Sequence, residues 1–462
     1  MKGKAYISMQ SEPIIHRETA RLSRKAQLAG DAAIYLKCAL VGVLSGAVAV
    51  AYRQTIGLLE RWREASLNMM ASSALNLAGW FAAAVVAGLA TAAMAKRLPL
   101  IKGSGIPQVK ALLLGKLRFD WLRELPAKFA GGTLAIGAGM SLGREGPSIQ
   151  LGALVGTAVD RTLGSVGDHG RYLVTAGAAA GISAAFNAPL AGVLFCIEEL
   201  HRQFSPTMLT ATLIASFCAN AVMWIVCGGA PVFDIRLIQT LPLQLYPAIV
   251  LPIGIAAGII GSLFNVGLVG FQKGLKRAFP NERTRLVTAF AAAAAVSLLW
   301  DPITGGGGGL VARSSVYGDA LSTLLLLLAG KLAFTLFSYA SGAPGGIFMP
   351  MLALGALVGA AIQAVLPAIG VGGDFLANCV LLGMAAFFVA VVRAPVTGAV
   401  LITEMAGSFG HFPAFMLVSI VAAAVGGLLG TPPIYETLLE QTLAAQPPRQ
   451  SPGQSPGPSC RP

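Results

Sequence analysis

The sequence predicts an all-α polytopic membrane protein built from two inverted-topology repeats of tilted and broken helices. Three observations predict it. Apolar composition is sustained along 462 residues, the second half matches the first in an ordered series, and glycine and proline interrupt the apolar runs at a few points.

Hydrophobic residues make up 55% of the chain and charged residues 11%, against roughly 25% charged in a soluble domain. Mean hydropathy is +0.72. A helical span needs about 20 mostly apolar residues. Candidate spans begin near Ala33, Ser73, Leu122, Pro147, Tyr172, Met208, Leu243, Arg285, Leu321, Pro350, Asp374, Arg393 and Phe412. Several are too short or too interrupted for a full crossing. Long continuous apolar runs exclude a β-barrel, whose strands alternate. The net charge of +13 is spread over segments between spans, as the positive-inside rule requires, and does not indicate nucleic-acid binding. The six cysteines show no metal or redox spacing, and five sit in apolar stretches as small core residues. The first 30 residues are polar, so no secretory leader is expected. The Pro/Ser/Gly-rich tail is expected to be disordered, with no C-terminal regulatory domain.

The repeat is read from three matches. "LGALVG" at 151–156 recurs at 354–359, aligning Pro147 with Pro350. "NAPLAGVLFCIEE" from Asn187 matches "RAPVTGAVLITEM" from Arg393, pairing Glu198 with Glu404. "VGVLSG" at 41–46 resembles "IGIAAG" at 253–258. The expected organisation is a cytoplasmic segment at 1–32, repeat 1 at 33–235, repeat 2 at 236–445 and a cytoplasmic tail at 446–462. Charges in the loop after the first span cancel (Glu60, Arg61, Arg63, Glu64). The equivalent loop of the second copy is basic (Lys273, Lys276, Arg277, Arg283, Arg285). By the positive-inside rule the second copy starts from the opposite face. Inverted repeats with broken helices hold a substrate where the copies meet.

Three breaks stand out: "KGSGIP" from Lys102, "GREGP" from Gly143 and "SGAPGGIFMP" from Ser341. Each leads into an apolar helical run. A helix start presents unpaired N–H groups and the positive end of its dipole, which attracts an anion without the grip of a full cation. Glu145, inside the second break, is unusual, because a charged side chain at mid-membrane costs about 2.5–3.5 kcal/mol even on lenient scales. Glu198 and Glu199 are adjacent and point about 100° apart on a helix. The repeat gives Glu198 and Glu404 a shared structural role, whereas Glu199 faces Met405 in the alignment and is free for another task. Lys128, Lys331 and Arg393 also lie in apolar contexts and are expected to pair with glutamates or to snorkel.

These segments resemble the signature segments of the CLC chloride channel and transporter family. "GSGIP", "GREGP" and "GGIFMP" carry the resemblance, with "AAFNAPLAGVLFCIEEL" and "PPIYETLL" in the right order, over about Ala33 to Ala445. The resemblance implies a CLC-type fold. It implies a central chloride held by Ser104, by the hydroxyl of Tyr435 and by the backbone N–H groups of Ile347 and Phe348. It implies an outer site lined by the N–H groups of Arg144 and Gly146, with Glu145 as gating glutamate and Glu199 as inner proton-transfer glutamate. It further implies a homodimer with one pathway per subunit, in a bacterial plasma membrane with both termini cytoplasmic. Chloride and protons are the transported ions and no cofactor is expected. Serine in "GSGIP" is the residue of chloride-selective members. Lys110 is a departure, standing where relatives often carry an acid.

The function expected is secondary active exchange of chloride for protons; the alternative is a passive chloride channel on the same fold. An intramembrane enzyme is not expected, since the histidines (His16, His169, His201, His411) fall in no ligand spacing.

Overall fold

Lipid offers no hydrogen-bond partner to the backbone, so apolar runs bounded by glycine, proline or capping residues become helices. The computed structural model describes the backbone of residues 12–70, 72–164, 169–233 and 240–445, and side chains from Ala32 onward except Met70. The first half carries α1 (Glu12–Met70), α2 (Ala74–Arg97), α3 (Ile106–Leu113), α4 (Trp121–Gly137), α5 (Glu145–Leu163), α6 (His169–Phe186), α7 (Pro189–Phe195) and α8 (Pro206–Cys227). The second half carries α9 (Tyr246–Ala278), α10 (Glu282–Leu299), α11 (Gly308–Ser314), α12 (Leu321–Ala340), α13 (Phe348–Val365), α14 (Leu376–Val392), α15 (Pro395–Ala406), α16 (Phe412–Leu428) and α17 (Ile434–Ala444). Among the described residues, seven helical segments are long and apolar enough to cross a membrane. The shorter α3, α7 and α11 are the broken elements of a multi-pass membrane fold.

From Ser73 onward, each candidate span start falls within about three residues of a helix start, because caps and prolines mark them. Ser73 and Ser205 accept from the N–H groups of Asn76 and Met208. The segments read as charged loops after the first span of each copy are helical instead. Residues 60–64 lie inside α1 and residues 273–277 inside α9. Arg63 is accordingly no surface charge. It is buried, pairs with Asp301 and donates to Ser297 Oγ at 3.1 Å. Lys2, Lys4, the side chains of Arg17, Arg21, Arg24 and Lys25, Cys460 and the 446–462 tail lie outside the described residues. The other five cysteines are free; Cys38, Cys196 and Cys379 are buried, and Cys218 and Cys227 half-buried.

The internal matches become contacts. The two glycines of each "LGALVG" let helices touch backbone to backbone, as small residues do in membranes. A Cβ on Gly156 would overlap the Leu173 carbonyl of α6, and one on Gly359 the Cys379 carbonyl of α14. Thus α5 packs on α6 as α13 packs on α14, 203 residues later.

Glu198 and Glu404 do share a structural role, and it is reciprocal. Glu404 accepts from the N–H groups of Leu190 (3.0 Å) and Ala191 (2.8 Å) at the start of α7. Glu198 accepts from those of Val396 (3.3 Å) and Thr397 (2.8 Å) at the start of α15, and from Thr397 Oγ1. Each copy caps the matching helix of the other. Such mutual exchange is the mark of two-fold symmetry. Glu404→Ala strands two helix-start donors and is expected to cost about 2 kcal/mol. Thermal unfolding in detergent should give a lower midpoint, with Glu404→Gln intermediate.

Candidate functional site

The three breaks converge. Gly143 and Gly346 form an antiparallel bridge, Gly143 N–H donating to Gly346 O at 2.6 Å and Gly346 N–H to Gly143 O at 2.7 Å. These residues are 203 apart, so the two copies join at matching positions. The first break reaches the third through Gly103, whose N–H donates to Ala343 O and whose carbonyl accepts from Gly345 N–H. Gly146 closes the group. A Cβ there would stand 2.9 Å from Ser104 O and 3.3 Å from Gly346 Cα, so no side chain fits. The helix starts of α3, α5 and α13 therefore meet in one small volume, and their first-turn N–H groups lack intrahelical acceptors.

Two hydroxyls are buried beside this junction. Ser104 is 1% and Tyr435 0% exposed; neither hydroxyl makes a well-formed protein hydrogen bond, and that of Ser104 lies beside the Tyr339 hydroxyl. Buried polar groups are ordinarily bonded, so these are fitted to take a small polar ligand. Tyr435 lies in the first turn of α17 and sets its ring edge-on to Phe195, 6.4 Å between centroids. Phe348, first residue of α13, packs on Phe186 and Phe388 at 4.8 and 4.7 Å.

Glu145 is 2% exposed, not a residue of a wet loop. Its carboxylate folds over Gly143, where a Cβ would overlap Oε2 and would stand 3.1 Å from Met349 N. It thus lies between the starts of α5 and α13. Oε2 is buried without a hydrogen bond, and Oε1 is 3.8 Å from Arg144 Nε. On one side opens a cavity of about 580 Å³, lined by Arg53, Glu60, Arg144, Asp301 and Arg313 as well as Glu145. Ser104 and Tyr435 are absent from its lining, so the hydroxyl pair lies outside this cavity.

A family model described as voltage gated chloride channel matches residues 84–427. The chain belongs to that family. It is 36% identical over 440 residues to an H(+)/Cl(-) exchange transporter ClcA of Vibrio cholerae, covering 91% of this chain and 92% of the relative. It resembles the crystal structure of a slow cyanobacterial Cl-/H+ antiporter, with a TM-score of 0.82 and 32% identity, over 89% of this chain and 98% of the other. A CLC-type fluoride/proton antiporter shares the fold at a TM-score of 0.73 and 23% identity, covering 87% and 97%.

Glu199 lies in a π-helical stretch (Cys196–His201) that continues α7. It is 1% exposed. Glu198 turns to α15 and Glu199 to α3, as their angular separation requires. The Glu199 partner was not read from the sequence: Lys110 Nζ lies 2.8 Å from Oε1.

The other cations in apolar contexts, Lys128 and Lys331 buried and Arg393 half-buried, correct an expectation. Lys128, Lys331 and Arg393 are bound by backbone carbonyls rather than by glutamates. Lys128 donates to Ile101 O and Gly103 O at 2.8 and 2.7 Å. Lys331 donates to Ile303 O and Gly305 O at 3.1 and 2.8 Å, and Arg393 to Ala423 O and to Thr431 Oγ1. Lys128 and Lys331 are 203 residues apart, the "LGALVG" offset, and that spacing was the available signal. The pair also exposes a fourth break. "TGGGGGL" holds Gly307 at φ +92° before α11, as "GSGIP" holds Gly105 at φ +89° before α3. Only glycine adopts such angles without strain.

Proposed function

We propose that the chain exchanges chloride for protons across the membrane, as a secondary active transporter without a cofactor. The observation that carries this reading is the Glu145 carboxylate, buried where two helix starts meet and two buried hydroxyls lie near. Chloride is held centrally by Ser104, Tyr435 and the N–H groups of Ile347 and Phe348. The N–H groups of Arg144 and Gly146 line the outer position, which the Glu145 carboxylate contests. Partial charges of helix ends favour the anion yet let it leave. When Glu145 takes up a proton it no longer competes as an anion, and chloride passes. Glu199 delivers protons from the inner side. Its acid has no counterpart at Met405, and this favours exchange over a passive channel. The outer side is the 580 Å³ cavity. The chain works as a homodimer with one pathway per subunit, in a bacterial plasma membrane with both termini cytoplasmic.

Calorimetric titration with chloride tests the central site. Ser104→Ala combined with Tyr435→Phe removes two neutral hydrogen bonds. Binding should weaken by about tenfold or more. Affinity equal to the parent's would mean that the hydroxyls hold no anion.

A further inference from the structure

The groups around Glu199 form a chain of charges that the exchange reading does not use. Lys110 lies on α3, with its side chain 8% exposed and 2.8 Å from Glu199 Oε1. Arg202 NH2 lies 3.9 Å from Glu199 Oε2, and Arg202 also pairs with Glu436 of α17. Glu436 follows Tyr435, and α3 follows the Ser104 turn. The same two helices meet through Ala111 and Leu439, with Leu117 just past α3 in the same cluster. From α6, His201 is engaged by Thr175 Oγ1 and Arg171 by Leu113 O. Glu198, the neighbouring acid, is turned to the start of α15.

The helix after the Ser104 turn and the helix bearing Tyr435 are thus tied through Lys110, Glu199, Arg202 and Glu436 in series. We propose that Lys110 and Arg202 are positioning residues that latch α3 to α17 while Glu199 is ionised, and that proton uptake by Glu199 releases this latch and opens the inner mouth. Protonation removes the attraction to both cations at once. Lys110, buried beside a neutral acid, is then an unpaired charge in an apolar place, which is strongly unfavourable. Its stem swings toward solvent and loosens its grip on α3. The step moves one proton onto one carboxylate oxygen and breaks no covalent bond. The proposal rests on the exchange reading and adds the link between the inner proton site and the anion passage.

The test uses the full chain in vesicles, in a Glu145→Gln background where the outer glutamate no longer titrates. Chloride flux is measured from neutral to acidic pH, while uphill proton movement is checked in the parent. With the latch present, flux should rise by about tenfold as pH falls (about 1.4 kcal/mol). Adding Lys110→Met should flatten that rise, and Lys110→Arg should restore it. Glu436→Gln, at a more exposed position, should flatten it partly and covers the case in which Lys110→Met fails to fold. A merely structural lysine would change the level of flux and leave the profile alone. Parent vesicles that move no protons overturn the exchange reading and the latch with it. Parent vesicles that exchange, with Lys110→Met and Glu436→Gln profiles superposing on the background, overturn the latch alone.

Discussion

Glu145→Gln should abolish coupled proton movement, lowering proton flux by about 100-fold or more, while chloride still passes. The amide keeps the shape of the side chain but neither carries a proton nor competes as an anion at a helix start. The geometry makes this the largest single effect. Glu145 is buried between the starts of α5 and α13, at the edge of a cavity that does not reach the Ser104 and Tyr435 hydroxyls. Chloride affinity in the variant should also rise, since its resident competitor is gone. Parallel recording of chloride and pH, with calorimetry on the same preparation, checks both. Proton flux within a few-fold of the parent's would remove Glu145 from the proton path.

Glu199→Gln should have the second largest effect, again stopping protons by about 100-fold, with chloride flux retained. Here chloride affinity should stay near the parent's value, because Glu199 contacts Lys110 and Arg202 rather than the helix starts of the junction. The two variants therefore separate the two roles. Each uncouples, and only Glu145→Gln changes anion binding. If Glu199→Gln leaves proton flux intact, protons reach Glu145 by another route.

What the sequence disclosed and what it withheld follow one physical division. Features set by local rules were legible. Helix starts are written in Pro, Ser and Asn caps, and the breaks in glycine and proline. The equal role of Glu198 and Glu404 was legible because duplication copied both the acid and the helix it caps. Features set by pairing across the fold were not. Lys110 and Glu199 are 89 residues apart, and nothing local in either segment points to the other. Lys128 and Lys331 were expected to pair with glutamates or to snorkel. In a fold full of interrupted helices, however, loop carbonyls are the nearer acceptors. Charges at the ends of α1 and α9 were read as loops, because a long helix emerging from an apolar layer carries charge on its last turns. The fourth break was missed for want of a proline; "TGGGGGL" looks like a linker until its Gly307 is seen opening α11. The phenylalanine cage around Phe348 comes from α6, α7, α13 and α14, and only the folded chain assembles it.

The central claim is that the chloride and proton routes meet at Glu145. Its most direct test is the parent protein in sealed vesicles, with a chloride gradient imposed and no initial pH difference. Exchange predicts that chloride running down its gradient drives protons uphill in the opposite direction, and that a protonophore collapses the resulting pH difference. Chloride flux with no proton movement, under gradients of either direction, would contradict it and identify a passive channel.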